Sequence, residues 1–129
     1  MVGIVISSHS KNIAEGIKEL VSQFAPNVPI AAAGGTEDGR LGTNVENIIH
    51  SIESVYSDDG VIIIFDMGSA FMNAEIAIGC LSPEKASKIK ISDVPIVEGA
   101  VVAAVESSKN KKLEEILEAL KPLNIHKVT

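Results

Sequence analysis

Two five-residue runs, Val2-Gly3-Ile4-Val5-Ile6 and Val61-Ile62-Ile63-Ile64-Phe65, are rich in β-branched residues and apolar at both odd and even positions. A strand with one wet face alternates in polarity, whereas a strand that is apolar on both faces needs cover on both. That is the pattern of central strands in a parallel sheet held between two layers of helices. Ile30-Ala31-Ala32-Ala33 and Lys88-Ile89-Lys90-Ile91 are weaker strand candidates, the second alternating as an edge strand does, so a sheet of about four strands is expected.

Helical spacing fills the intervals. Ile13, Ile17, Leu20, Val21 and Phe24 gather on one stripe that should pack on the sheet. Val45, Ile48, Ile49 and Ile52 form a second stripe, opened by Thr43-Asn44-Val45-Glu46, which reads as a capping box. A third helix is expected from about Ala70 to Leu81 and a fourth from about Val97 to Ser107. A last one carries Leu113, Ile116, Leu117 and Leu120 and is stopped by Pro122. Strands alternating with helices imply right-handed crossovers and a doubly wound, mainly parallel α/β/α sandwich. With 129 residues and no Gly/Ser-rich linker, residues 1–129 read as a single domain. The small-sided Val101-Val102-Ala103-Ala104-Val105 run suits close helix packing within the fold or between subunits, the first being the more economical.

Charge and composition narrow the partners. A net charge of −6 and only 3% aromatic residues argue against nucleic acid, which needs cationic grooves and stacking platforms. No apolar run approaches the roughly 20 residues that cross a bilayer. The single cysteine, Cys80, cannot form an internal disulfide, and no signal-peptide pattern opens the chain, so the cytoplasm is the expected compartment and no membrane partner is expected. One Cys and three scattered His give no metal-ligand spacing. Met67, Met72 and Cys80 read as core or subunit-contact residues, and His50 and His126 as solvated bystanders.

In open α/β sheets ligands bind beyond the carboxyl ends of the strands, where helix N-termini present unpaired N–H groups. Three polar segments should meet there: Ser7-Ser8-His9-Ser10, the Gly34 to Thr43 loop, and Asp66-Met67-Gly68-Ser69. A neutral imidazole at His9 has a ring nitrogen able to attack phosphorus, and Ser8, Ser10 and the following helix N-terminus would receive the added phosphoryl oxygens. The alternative for His9 is a loop residue that caps a helix. Asp66 can orient the imidazole by accepting its second N–H or can cap a helix itself; Ser69 can bind a phosphoryl oxygen or serve as an N-cap. The Gly34 to Thr43 loop is not a P-loop, because Arg40 follows Gly39 where a lysine would stand, but its glycines can form an anion nest or ordinary turns.

Taken together, Ser8-His9-Ser10, Gly42-Thr43, Asp66-Met67-Gly68-Ser69-Ala70 and Pro95-Ile96-Val97-Glu98-Gly99-Ala100 resemble the phosphotransferase subunits of bacterial phosphoenolpyruvate-dependent dihydroxyacetone kinases. More broadly, the chain resembles the mannose-family IIA domains of the sugar phosphotransferase system. The resemblance implies a cytoplasmic homodimer in which His9 accepts a phosphoryl group from the phosphocarrier protein HPr. It further implies transfer to Mg-ADP held on the nucleotide-binding kinase subunit, DhaL, with no cofactor bound by the chain itself. Asp66 and Ser69 match the family's carboxylate and hydroxyl beside the histidine, and Gly35, Thr36 and Thr43 fall in its active-site loop. Absence of a further phosphocarrier segment implies a separate donor protein, and Met67-Gly68-Ser69 in place of a Trp-Gly-Gly insertion favours the dihydroxyacetone branch over sugar transport. A receiver-type signalling module phosphorylated on Asp66 ranks below both, because it needs an acidic pair after the first strand, where Ser8 and His9 stand.

Overall fold

The computed structural model describes residues 1–128. Strand β1 (Gly3–Ser8) leads into helix α1 (Lys11–Phe24), β2 (Ile30–Gly34), α2 (Val45–Val55), β3 (Val61–Phe65) and α3 (Gly68–Gly79). A one-turn helix α4 (Pro83–Ala86), β4 (Ile89–Ser92), α5 (Ile96–Ser108) and α6 (Leu113–Leu120) follow, ending in a 3-10 turn at Lys121–Leu123. The four strands pair in parallel in the order β2-β1-β3-β4.

The two doubly apolar runs are the two central strands, and Ile4, Val5, Ile6, Ile62, Ile63 and Ile64 are wholly buried. Even-numbered residues of β1 and β3 (Ile4, Ile6, Ile62, Ile64) meet α1, α5 and α6 through Ile17, Val21, Ala103 and Ile116. Odd-numbered ones (Val5, Ile63) meet α2 and α3 through Ile48, Ile52, Ala74 and Ala77. The chain runs outward from β1 to β2, then returns past β1 to β3 and on to β4. Placing α1 on one face and α2 and α3 on the other keeps each crossover right-handed. The direction reverses between β1 and β3, and the crevice beyond their carboxyl ends is the topological switch point of the sheet.

Several expectations shift. In α1 the inward side chains are Ala14, Ile17 and Val21, whereas Ile13, Leu20 and Phe24 are exposed. At ~100° per residue the buried set is centred about a quarter turn from the exposed one. Close approach decides this: a Cβ on Gly34 would lie 2.8 Å from the Ala14 methyl and 2.6 Å from the Ser10 carbonyl, so the start of α1 offers its small side to β2. The N-cap of α2 is Asn44, whose side chain accepts from the Asn47 N–H, rather than Thr43 of the anticipated box. Helix α3 begins at Gly68, two residues before the expected Ala70, and ends at Gly79 rather than Leu81. Met67, Met72 and Cys80 are exposed, so none of them belongs to the core. The short α4 was not anticipated, although Ser82-Pro83-Glu84 carries its signal: a serine cap, proline at the first helical position and an acid in the first turn. The Ala100, Ala103 and Ala104 side of α5 packs inside the fold, with Val101 and Val102 partly buried against the same cluster.

Candidate active site

Strand β1 ends at Ser8 and α1 begins at Lys11, which leaves His9 and Ser10 as the link between them at the rim of the sheet. Ser10 is the N-cap of α1, its hydroxyl accepting from the Ile13 N–H at 3.2 Å. Across the switch point β3 ends at Phe65, so Asp66 faces the same link. The Asp66 N–H donates to the Ser7 carbonyl at 3.2 Å and continues the β1–β3 pairing past the last strand residue. The two chain ends that carry the chemistry are therefore tied together by the sheet itself.

The Asp66 carboxylate accepts four hydrogen bonds. Oδ2 receives the Ser8 hydroxyl and the His9 backbone N–H, both at 2.9 Å; Oδ1 receives the His9 ring at Nδ1 at 2.9 Å and the Met67 N–H at 2.7 Å. Burial pushes this carboxyl up, but the His9 N–H, the His9 ring and the Ser8 hydroxyl outweigh it and hold the group below its ordinary value. Asp66 is therefore a carboxylate at neutral pH, and only the tautomer with the proton on Nδ1 donates to it. The opposite ring nitrogen, Nε2, then keeps its lone pair and meets the Ser69 hydroxyl at 2.5 Å. The imidazole side chain is 20% exposed: held on two sides, open on a third.

Ser69 is free to make this contact because it does not cap α3. The N-cap is Met67, which has no side-chain cap bond, so Ser69 sits in the first turn with its hydroxyl turned to His9. The Ser8 hydroxyl donates a hydrogen bond to Asp66 and accepts the Ser10 N–H at 3.0 Å, binding the first link in both directions. The glycine-rich loop reaches the site through its backbone. The Gly35 N–H donates to the Ser8 carbonyl at 3.2 Å and the Gly42 N–H to the His9 carbonyl at 2.8 Å. Thr36 turns inward on its own loop, its hydroxyl bonding Asp38 at 2.6 Å and accepting the Arg40 N–H at 3.1 Å. Thr43 accepts the Asn73 side-chain amide from α3. His9, Asp66, Ser8 and Ser69 are thus one hydrogen-bonded group, whereas Thr36 and Thr43 brace the loop beside it.

Sequence reasoning did not single out Asn73, and it used Gly42 only as part of the Gly42-Thr43 motif without giving it a role. The signal for Asn73 was present: it lies four residues after Ser69, on the same face of α3. Among the described residues no group of three or more His, Cys, Asp or Glu side chains is gathered as a metal site, and no helix is long and apolar enough to cross a membrane.

A doubly wound parallel sheet with a carboxylate-paired imidazole at its switch point is the frame of a phosphoryl-transfer domain, and the family match says which. The family EIIA-man, described as the PTS system fructose IIA component, matches residues 3–117, and the chain belongs to it. It is similar to the phosphoryl donor subunit DhaM of a PEP-dependent dihydroxyacetone kinase 2 from Listeria innocua, 42% identical over 98% of this chain and 100% of the relative. It is likewise similar to the phosphotransferase subunit DhaM of a PTS-dependent dihydroxyacetone kinase from Lactococcus lactis, 36% identical over 97% and 98%. In the DhaM of Escherichia coli, 36% identical, the matching part covers 26% of the longer chain. Among solved structures, a protein of unknown function superposes with a TM-score of 0.84 at 32% identity over 97% of both chains. An EIIA component from Streptococcus agalactiae, at TM-score 0.69 and 15% identity over 100% of this chain and 96% of that one, shares the fold.

Proposed function

We propose that this chain is the phosphoryl-carrying subunit of a PEP-dependent dihydroxyacetone kinase and that Nε2 of His9 is the atom that carries phosphorus. The observation that bears the reading is the two-sided hold on the ring: Asp66 accepts a hydrogen bond from Nδ1–H, so the lone pair on Nε2 faces outward beside Ser69. In the first half-reaction Nε2 attacks the phosphohistidine of HPr. The new P–N bond forms as the donor's P–N bond breaks, and the donor imidazole leaves with its electron pair. The positive charge gained by the His9 ring lies against the Asp66 carboxylate, which needs no reorganisation to meet it. The Ser69 hydroxyl and the N–H groups at the start of α3 offer hydrogen bonds to the phosphoryl oxygens.

In the second half-reaction a terminal oxygen of ADP, held with magnesium on the DhaL subunit, attacks the same phosphorus. The His9 P–N bond breaks, and ATP forms for the phosphorylation of dihydroxyacetone. The carrier acts in the cytoplasm as a homodimer and binds no cofactor of its own; magnesium arrives with the nucleotide. The names of its relatives support this branch over sugar transport. Phosphorylation of Asp66 is disfavoured, because both its oxygens already accept two donors each. The test is incubation with phosphoenolpyruvate, enzyme I and HPr, followed by mapping of the labelled residue. Label is expected on His9, absent from His9→Gln, and discharged by DhaL with ADP. Full labelling of His9→Gln would defeat the assignment.

A further inference from the structure

The C-terminal segment after α6 returns to the carboxyl ends of β3 and β4, although it lies beyond the residues 3–117 matched by the family. Asp93, just past β4, fastens it: the Asp93 carbonyl accepts the Ile125 N–H at 3.2 Å, and the Asp93 carboxylate accepts the N–H groups of Lys127 at 3.1 Å and Val128 at 3.0 Å. This clasp directs the half-buried Lys127 side chain inward. Its ammonium donates to the Val94 carbonyl at 2.7 Å and to the carbonyl of Phe65, and it sits 4.0 Å from the centroid of the Phe65 ring. Phe65 is the last residue of β3, so the carbonyl that Lys127 grips belongs to the peptide from which Asp66 springs. Burial holds this amine below the ordinary lysine value, against the opposing pull of the Asp93 and then the Asp66 carboxylates.

We propose that Lys127 is a positioning residue for the His9–Asp66 pair: by tying the C-terminal segment to the Phe65 and Val94 carbonyls it fixes the peptide that aims the Asp66 carboxylate at Nδ1. It touches neither the imidazole nor the visiting phosphoryl group. Four donors converge on Asp66, so a small rotation of its peptide misaligns all of them together, and displacements of about 1 Å in such sites cost up to roughly a hundredfold in rate. As a role in transfer the inference rests on His9 being the phosphoryl acceptor; as a statement about the ring it does not.

The test compares the wild type with Lys127→Met, which keeps an unbranched stem but removes the donors, and Lys127→Arg, which keeps charge and donors. Nitrogen-15 shifts of the neutral His9 ring report the tautomer without any phosphorylation. The wild type should show the proton on Nδ1, Lys127→Met a mixture of both tautomers, and Lys127→Arg a spectrum closer to the wild type. In transfer from phosphorylated HPr, Lys127→Met should lose about ten- to a hundredfold in kcat with KM for HPr unchanged. Asp93→Asn, which weakens the clasp but leaves Lys127 in place, should fall between them in both measurements. A Lys127→Met protein with the wild-type tautomer and wild-type kcat would overturn the proposal. Were wild-type His9 to take up no phosphoryl group, the functional reading would fail while the ring spectra still decided the role of Lys127.

Discussion

Asp66 carries more of the site than its single negative charge implies, because four donors from Ser8, His9 and Met67, on two chain segments, end on it. Asp66→Asn keeps the shape but turns one acceptor oxygen into a donor, which repels the N–H groups it faces and frees the His9 ring to change tautomer. Phosphoryl transfer should fall about 10²- to 10⁴-fold in rapid-quench kinetics. The same substitution has a signature in stability. Because the native carboxyl lies below its ordinary value, the stability it contributes is fully present above the unfolded pKa of about 3.9 and is lost as pH falls through the lower native value. Urea unfolding of Asp66→Asn should therefore vary less with pH below about 4 than that of the wild type. Ser69→Ala removes the hydroxyl at Nε2 but no helix cap, so transfer should slow while the unfolding free energy stays within about 0.5 kcal/mol of the wild type in urea titration. Residue type and position after a strand marked His9, Asp66 and Ser69 as candidates in the sequence, but each could equally have capped a helix, and only the resemblance to a family favoured the site. Which of two serines caps a helix and which faces the ring was not legible, because both stand next to a helix start and only the packed turn decides.

At the scale of elements, the loop from Gly34 to Thr43 is a brace. It grips the His9 carbonyl through Gly42 and α3 through Thr43 and Asn73, and it closes on itself through Thr36, Asp38 and Arg40. Gly42 has φ +137°, and a Cβ there would lie 2.9 Å from the Thr36 methyl. Gly42→Ala should cost about 1–3 kcal/mol in urea unfolding and should slow transfer as well, because relieving the strain and the clash with Thr36 shifts the backbone N–H that the His9 carbonyl accepts. A protein that lost stability without any loss of transfer would show that the brace does not hold the histidine. The glycines of the loop were plain in the sequence, but their use was not: a nest for anions and a backbone clamp draw on the same residues. Helix α1 shows a related gap. Its bulky apolar residues pointed to one stripe, yet contact with Gly34 turned the small side inward and left Ile13, Leu20 and Phe24 in solvent. Periodicity reports that a helix is amphipathic, whereas which sector is buried depends on how near its neighbour approaches.

For the whole molecule, two isoleucine-rich strands determine the rest. Being apolar on both faces they must lie at the centre, the crossovers must cover them on both sides, and the reversal of strand order between β1 and β3 opens a crevice where His9 and Asp66 emerge. The two central strands, the helical cover on both faces, the strand count and the edge character of β4 followed from the sequence; the strand order, and with it the reversal between β1 and β3, did not, because no periodicity reports which strands are neighbours. The clasp of the C-terminal segment did not, since Asp93 and Lys127 lie 34 residues apart and neither belongs to a periodic pattern. The central claim is that the molecule presents Nε2 of His9 as its single phosphoryl acceptor. Phosphorus-31 spectroscopy of the nitrogen-15-labelled protein, charged by phosphoenolpyruvate, enzyme I and HPr, tests this most directly. One resonance coupled to Nε2 of His9, stable in base and lost in acid, is the predicted result; a base-labile signal without nitrogen coupling, or one that persists in His9→Gln, would contradict it.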